Sequence, residues 1–134
     1  MTIHGSCFCG TISYKIEGKL RDARSCHCSR CRKAFSAQAS AYALVDLNEF
    51  SWVSGKNLLS SYKSNKGEGL QFCSICGSTL CGTYNDEVTG VTLGCLEGDP
   101  QIELKMHIFV GSKASWESIS EGIPQYEELP PDSV

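Results

Sequence analysis

Residues 25–33, SCHCSRCRK, place Cys26, Cys28 and Cys31 within six positions. Thiolates bind zinc well, and around a tetrahedral ion Zn–S bonds of about 2.3 Å put neighbouring sulfurs roughly 3.8 Å apart. A C-x-C step followed by C-x-x-C lets three sulfurs converge on one ion. Two further pairs stand elsewhere: Cys7 and Cys9 in GSCFCG, and Cys73 and Cys76 in FCSICGS, where Gly77 allows the tight backbone of a zinc knuckle. Cys7 and Cys9, two apart, are expected on one face of a strand. Together these pairs predict a closed four-thiolate structural site. It would tie the first strand to a hairpin some 65 residues later, and closing so long a loop stabilises a small β protein substantially.

The triplet is one ligand short of a closed tetrahedron. Its candidate fourth ligands are His27, Cys81, Cys95, His107 and His4. His27, between two ligands on a strand, is expected to point the opposite way. Cys81 and Cys95 stand in apolar strand contexts and read as buried thiols, since free cysteine is among the most buried residue types. His107, between Met106 and Ile108, reads as a packed strand residue. The triplet is therefore expected to lack a fourth protein ligand, which marks a catalytic rather than a structural zinc. Three thiolates leave the ion a poor activator of water but well suited to holding a thiol substrate as thiolate. Arg30, Arg32 and Lys33 either receive the carboxylates of an acidic thiol or form the solvated face of a short helix.

Nine cysteines in 134 residues do not form a disulfide framework: the number is odd, and most stand in short metal-type spacings. The N-terminus MTIHGSCFCG has neither the basic start nor the apolar core of a secretory signal, so a cytoplasmic protein is expected. No run of 18 apolar residues is present, and a net charge of −3 with interspersed signs disfavours nucleic acid and membrane partners. No heptad or large apolar stripe announces an oligomer. The length and the lack of a linker predict a single domain over residues 1–134, with its core at about 5–130 and a loose tail at 131–134.

The elements that must carry these cysteines are short strands. TISYKIE alternates, with Ile12, Tyr14 and Ile16 on one face. ASAYALV, LLSSYKS, VTGVTLG and ELKMHIFV also read as strands, being rich in β-branched and aromatic residues. SRCRKAF predicts one or two helical turns, and DLNEF, with Asp46 and Glu49, a single capped turn. In the C-terminal segment, Trp116, Ile119 and Tyr126 are spaced as anchors of a latch onto the sheet, with Gly122 and Pro124 shaping a turn. The expected fold is a mostly β, largely antiparallel domain with only short helical turns.

GSCFCGTISY, CHCSRCRKA, FCSICGSTL and HIFVGSKASWESISEGIPQYEELP stand in the order and spacing of the glutathione-dependent formaldehyde-activating enzyme family, which includes centromere protein V. The chain resembles that family from about Gly5 to Pro130. The resemblance implies a compact Mss4-like antiparallel β fold with two zinc ions per chain. Cys7, Cys9, Cys73 and Cys76 would hold the structural ion, and Cys26, Cys28 and Cys31 the catalytic one. It further implies a carbon–sulfur lyase that adds glutathione to formaldehyde, giving S-hydroxymethylglutathione. Phe35, where many members carry a small or hydroxyl residue, and Cys81, where an aromatic is usual, depart from the pattern. Two other readings stand beside the enzyme: a zinc-stabilised β module that binds a protein partner without catalysis, and a metal store or sensor.

Overall fold

The computed structural model describes residues 1–131, so all but Pro131 of the expected loose tail lies outside the described residues. In chain order the strands are β1 (Thr2–Ser6), β2 (Ser13–Glu17), β3 (Arg21–Cys26), β4 (Tyr42–Leu44) and β5 (Phe50–Ser54). They continue as β6 (Leu59–Lys63), β7 (Glu68–Cys73), β8 (Thr79–Tyr84), β9 (Glu87–Thr92) and β10 (Met106–Ile108). Helix α1 (Ser29–Phe35) and four three-residue 3₁₀ turns complete the described elements, so the chain is mostly β with short helical turns. No helix among the described residues is long and apolar enough to cross a membrane.

The chain folds as two compact units, Met1–Arg21 with Ala43–Ile102, and Asp22–Tyr42 with Glu103–Val134. The first holds an antiparallel sheet in the order β1-β2-β5 and an array in the order β4-β9-β8-β7-β6. Its core follows from the alternation in β2: Ile12, Tyr14 and Ile16 are all 0% exposed. Tyr14 packs on Phe50 at 5.1 Å and edge-on to Trp52 at 5.9 Å, measured between ring centroids. Leu80, Cys81 and Val91 extend the same apolar cluster. Gly5 faces Tyr14 across the β1–β2 pair, and a Cβ there would strike the tyrosine ring.

The second unit is built on β3 and β10, which run parallel, with Met106 opposite Arg24 and Ile108 opposite Cys26. This departs from the antiparallel pairing of β1-β2-β5 and of β6 to β9, and a second parallel bridge joins His107 to Gln125. Within ELKMHIFV only Met106–Ile108 is extended, because Phe109 turns the chain with φ of 56° into a 3₁₀ turn. The C-terminal segment is latched by backbone rather than by aromatic anchors. His107 N donates to Pro124 O at 2.9 Å, Tyr126 N to His107 O at 2.9 Å, and Val110 N to Tyr126 O at 3.0 Å. Trp116 is 72% exposed, so it does not pin the tail; small Ala114, 3% exposed, is buried instead.

Candidate metal centres

Among the described residues the metal-type ligands gather in two groups, Cys7–Cys9–Cys73–Cys76 and Cys26–Cys28–Cys31, with all sulfurs of each within 4.8 Å of one another. In the first group, Cys7 and Cys9 do not lie on a strand, as their spacing suggested, but on the tight turn that follows β1. Gly10 N donates to Cys7 O and Cys7 N to Ile12 O, both at 3.0 Å, and this turn brings the two sulfurs to 3.6 Å. Cys73 ends β7, and the knuckle after it closes through Gly77 N to Cys73 O at 2.8 Å, with Gly77 at φ of 82°. Ile75 N and Cys76 N each donate to Cys73 Sγ at 3.4 Å, an arrangement suited to a thiolate. Cys9 and Cys73 sulfurs stand 3.8 Å apart across 64 residues of chain. A hydrogen bond from the Ser78 hydroxyl, at 3.3 Å, holds the Cys76 thiol down at about 5. The spacings match the tetrahedral edge around zinc.

The second group is assembled at a strand-to-helix junction. Cys26 is the last residue of β3, Cys28 is the N-cap of α1, and Cys31 lies in its first turn. The cap bond runs from Cys31 N to Cys28 Sγ at 3.3 Å, so the sulfur that caps the helix is also a member of the triplet. Buried Ser40 fixes the other end: its amide donates to Cys26 O at 3.0 Å, and its hydroxyl accepts from Cys26 N at 3.2 Å. A hydrogen bond from Cys26 to Cys31 holds the Cys31 thiol down at about 6 against the effect of burial. The Ser40 hydroxyl, Cys28 and the Arg30 charge act in the same direction. The same bond, together with burial, pushes the Cys26 thiol up.

None of the candidates for a fourth ligand joins the triplet among the described residues. His27 is 0% exposed and turns away from the sulfurs, as strand alternation requires. Its Nε2 is 2.9 Å from His107 Nδ1, and its Nδ1 is 3.1 Å from Glu117 Oε1, within ion-pair distance though off the hydrogen-bond line. Cys81 is buried and donates to Gln71 Oε1 at 3.3 Å, and Cys95 donates to Thr79 O at 3.5 Å. His4, exposed on β1, accepts from Glu97 N through its carbonyl at 2.8 Å. Phe35, half-buried, ends α1.

Of the three basic neighbours, Arg30 and Lys33 are exposed, and Arg32 is half-buried with a buried Nε that has no hydrogen-bond partner among the described residues. Two residues absent from the sequence-derived set also face this site. Arg24, 8% exposed, is two residues from Cys26 on β3 and so shares its face. Its guanidinium lies 6.0 Å from the ring centre of Tyr42. Burial and the charges of Cys26, Cys31 and Cys28 push the Tyr42 hydroxyl up to about 12. The C-x-C step itself was the available signal for Arg24, since the alternation that orients Cys26 also orients residue 24.

A family model described as glutathione-dependent formaldehyde-activating enzyme matches residues 2–112. The match takes in both cysteine groups and ends short of the segment that carries Glu117. The chain is also similar to a protein of Rhodobacter sphaeroides known from a crystal structure. The two are 30% identical with a TM-score of 0.57, over 71% of this chain and 88% of that one. No curated protein matches.

Proposed function

The chain belongs to the glutathione-dependent formaldehyde-activating enzyme family, and from that premise we propose that it is a zinc-dependent carbon–sulfur lyase-type enzyme. It would add a thiol, glutathione by family default, to formaldehyde or another small electrophile. The observation that carries this reading is the three-sulfur group whose neighbouring histidine has both ring nitrogens turned to other partners. Four thiols in the other group form a closed set suited to a structural ion, and three leave a position for substrate. Zinc held by Cys26, Cys28 and Cys31 would supply the charge that keeps the incoming thiol deprotonated at neutral pH.

The remaining work falls to the chain's own groups. The thiol sulfur forms a bond to the aldehyde carbon, the carbonyl π pair moves to oxygen, and that oxygen takes up a proton while the thiol's proton goes to solvent. Tyr42, held protonated at neutral pH, and Arg24 beside it are donors for the oxygen as charge develops there. Arg30 and Arg32 offer guanidinium donors for the carboxylates of an acidic thiol, and the Arg32 Nε has its donor unused. Nine free thiols fit a reducing compartment, the cytoplasm.

A second reading, a zinc-stabilised β module that binds a protein partner, is favoured by one feature. Phe8 and Ile75, at the tips of the two segments of the four-thiol site, are 91% and 61% exposed.

The deciding experiment compares wild type with Cys28→Ser after anaerobic, zinc-supplemented purification. The expected result is two zinc ions per chain falling to one. Formation of the glutathione–formaldehyde adduct above the uncatalysed rate should be lost with the second ion. Two ions with no rate above background would favour the binding module.

A further inference from the structure

His27 is a wholly buried titratable group that the proposed chemistry does not use, and it stands between two of the three sulfurs that the chemistry needs. Its amide donates to Ile108 O at 2.9 Å, so the backbone between Cys26 and Cys28 is tied to β10. Its ring lies against that of His107, with centroids 5.1 Å apart and planes inclined at 49°. The carboxylate of Glu117, only 17% exposed, stands 3.1 Å from His27 Nδ1, and His27 Nε2 stands 2.9 Å from His107 Nδ1. The three groups thus form one connected row, His107–His27–Glu117, joined by close polar contacts. An apolar side chain would fill the same space without burying three polar groups that then require one another. Because side chains alternate along the strand end, turning His27 would turn Cys26 and Cys28 as well.

We infer that Glu117 and His107, acting through His27, position the Cys26–Cys28–Cys31 centre. His27 is a positioning residue: it touches neither substrate nor ion, and sets the directions from which two sulfurs approach. Glu117 comes from the segment beyond the family-matched residues, so the C-terminal latch is coupled to the geometry of the open site. The inference rests on the reading that the triplet holds a metal ion.

The test titrates Co²⁺ into full-length protein whose four-thiol site is filled. Wild type, His27→Gln, His107→Gln and Glu117→Gln are compared, with Cys28→Ser as the blank for the triplet. Wild type should show d–d and thiolate charge-transfer bands from the triplet that Cys28→Ser lacks. His27→Gln and Glu117→Gln should bind Co²⁺ there about 10–100-fold more weakly, as is usual for groups that orient metal ligands. Their d–d bands should shift, while the melting temperature and the ion of the four-thiol site are kept, and Glu117→Asp should recover part of the affinity. Should His27→Gln not fold, Glu117→Gln, which removes only a charge at the rim, decides alone. Unchanged affinity and bands in folded Glu117→Gln would overturn the inference. Parallel weakening of both metal sites with the melting temperature would also overturn it, since it would show a merely structural role. A wild-type protein that takes up no ion at the triplet fails at the first trace. That outcome overturns the inference together with the proposed function, and is told apart by being visible before any variant is compared.

Discussion

At the scale of single residues, the nine thiols are chemically unlike one another. Burial pushes Cys81 up to about 12, whereas the hydrogen bond from Cys26 holds Cys31 down at about 6. The thiolate is the nucleophile, so at pH 8 a thiol titrating near 12 presents on the order of one part in 10⁴ of its reactive form, and one near 6 is almost wholly ionised. Once a mild chelator has removed the triplet's ion alone, iodoacetamide at pH 8 should label Cys31 early and Cys81 last, as read by peptide mass. Cys81 labelling alongside Cys31 would show that its strand opens readily. Tyr42 makes a separate prediction. If its hydroxyl serves the carbonyl oxygen, Tyr42→Phe should lower kcat by about 10–100-fold, with KM for the thiol and zinc content unchanged. An unaltered kcat would remove it from the chemistry.

At the scale of elements, one tight constraint is the pairing of β1 with β2. Gly5 stands opposite Tyr14 with no room for a Cβ, so Gly5→Ala should cost about 1–3 kcal/mol, read as a lower midpoint in urea. Ile16→Ala on the same buried face should cost about 2–5 kcal/mol. The strand β2 was legible because one face is wholly buried and the other is not, which writes a period of two into the sequence. The strand β3 was not, because RDARSC carries three charged residues, and its extended form comes from pairing with β10, some 80 residues on. Helix α1 was found from local spacing, although none of its residues is buried and a cysteine caps it. The cysteine spacings pointed to the right groupings but not to the vehicle, since Cys7 and Cys9 are brought together by a turn rather than by a pleat. Trp116 shows the opposite limit: an aromatic residue at anchor spacing carries no information about which way it faces. The partners of His27 were invisible for a related reason, since His107 and Glu117 are near it only through the fold.

For the molecule as a whole, the two cysteine groups are expected to differ in what their loss does. With an ion bound, the four-thiol set would close a loop of more than 60 residues in the first unit, and by the loop-closure relation used for cross-links this would be worth on the order of 4 kcal/mol. Against a usual net stability of about 5–15 kcal/mol, that is a decisive share. Cys73→Ser should therefore give little folded protein, whereas Cys28→Ser should melt within a few degrees of wild type, as followed by circular dichroism. Similar losses from both would mean that the triplet is also structural. The same difference in span has a temporal side. A ribosome adding about 5–20 residues per second needs roughly 2–9 s to pass from Cys31 to Cys76. Throughout that interval the nascent chain displays a finished three-thiol set, while Cys7 and Cys9 wait for sulfurs not yet made. If free zinc were abundant, the first ion would go to the triplet. Where zinc is scarce and buffered, the four-thiol set, offering one more ligand than the triplet, would fill first although it is completed last.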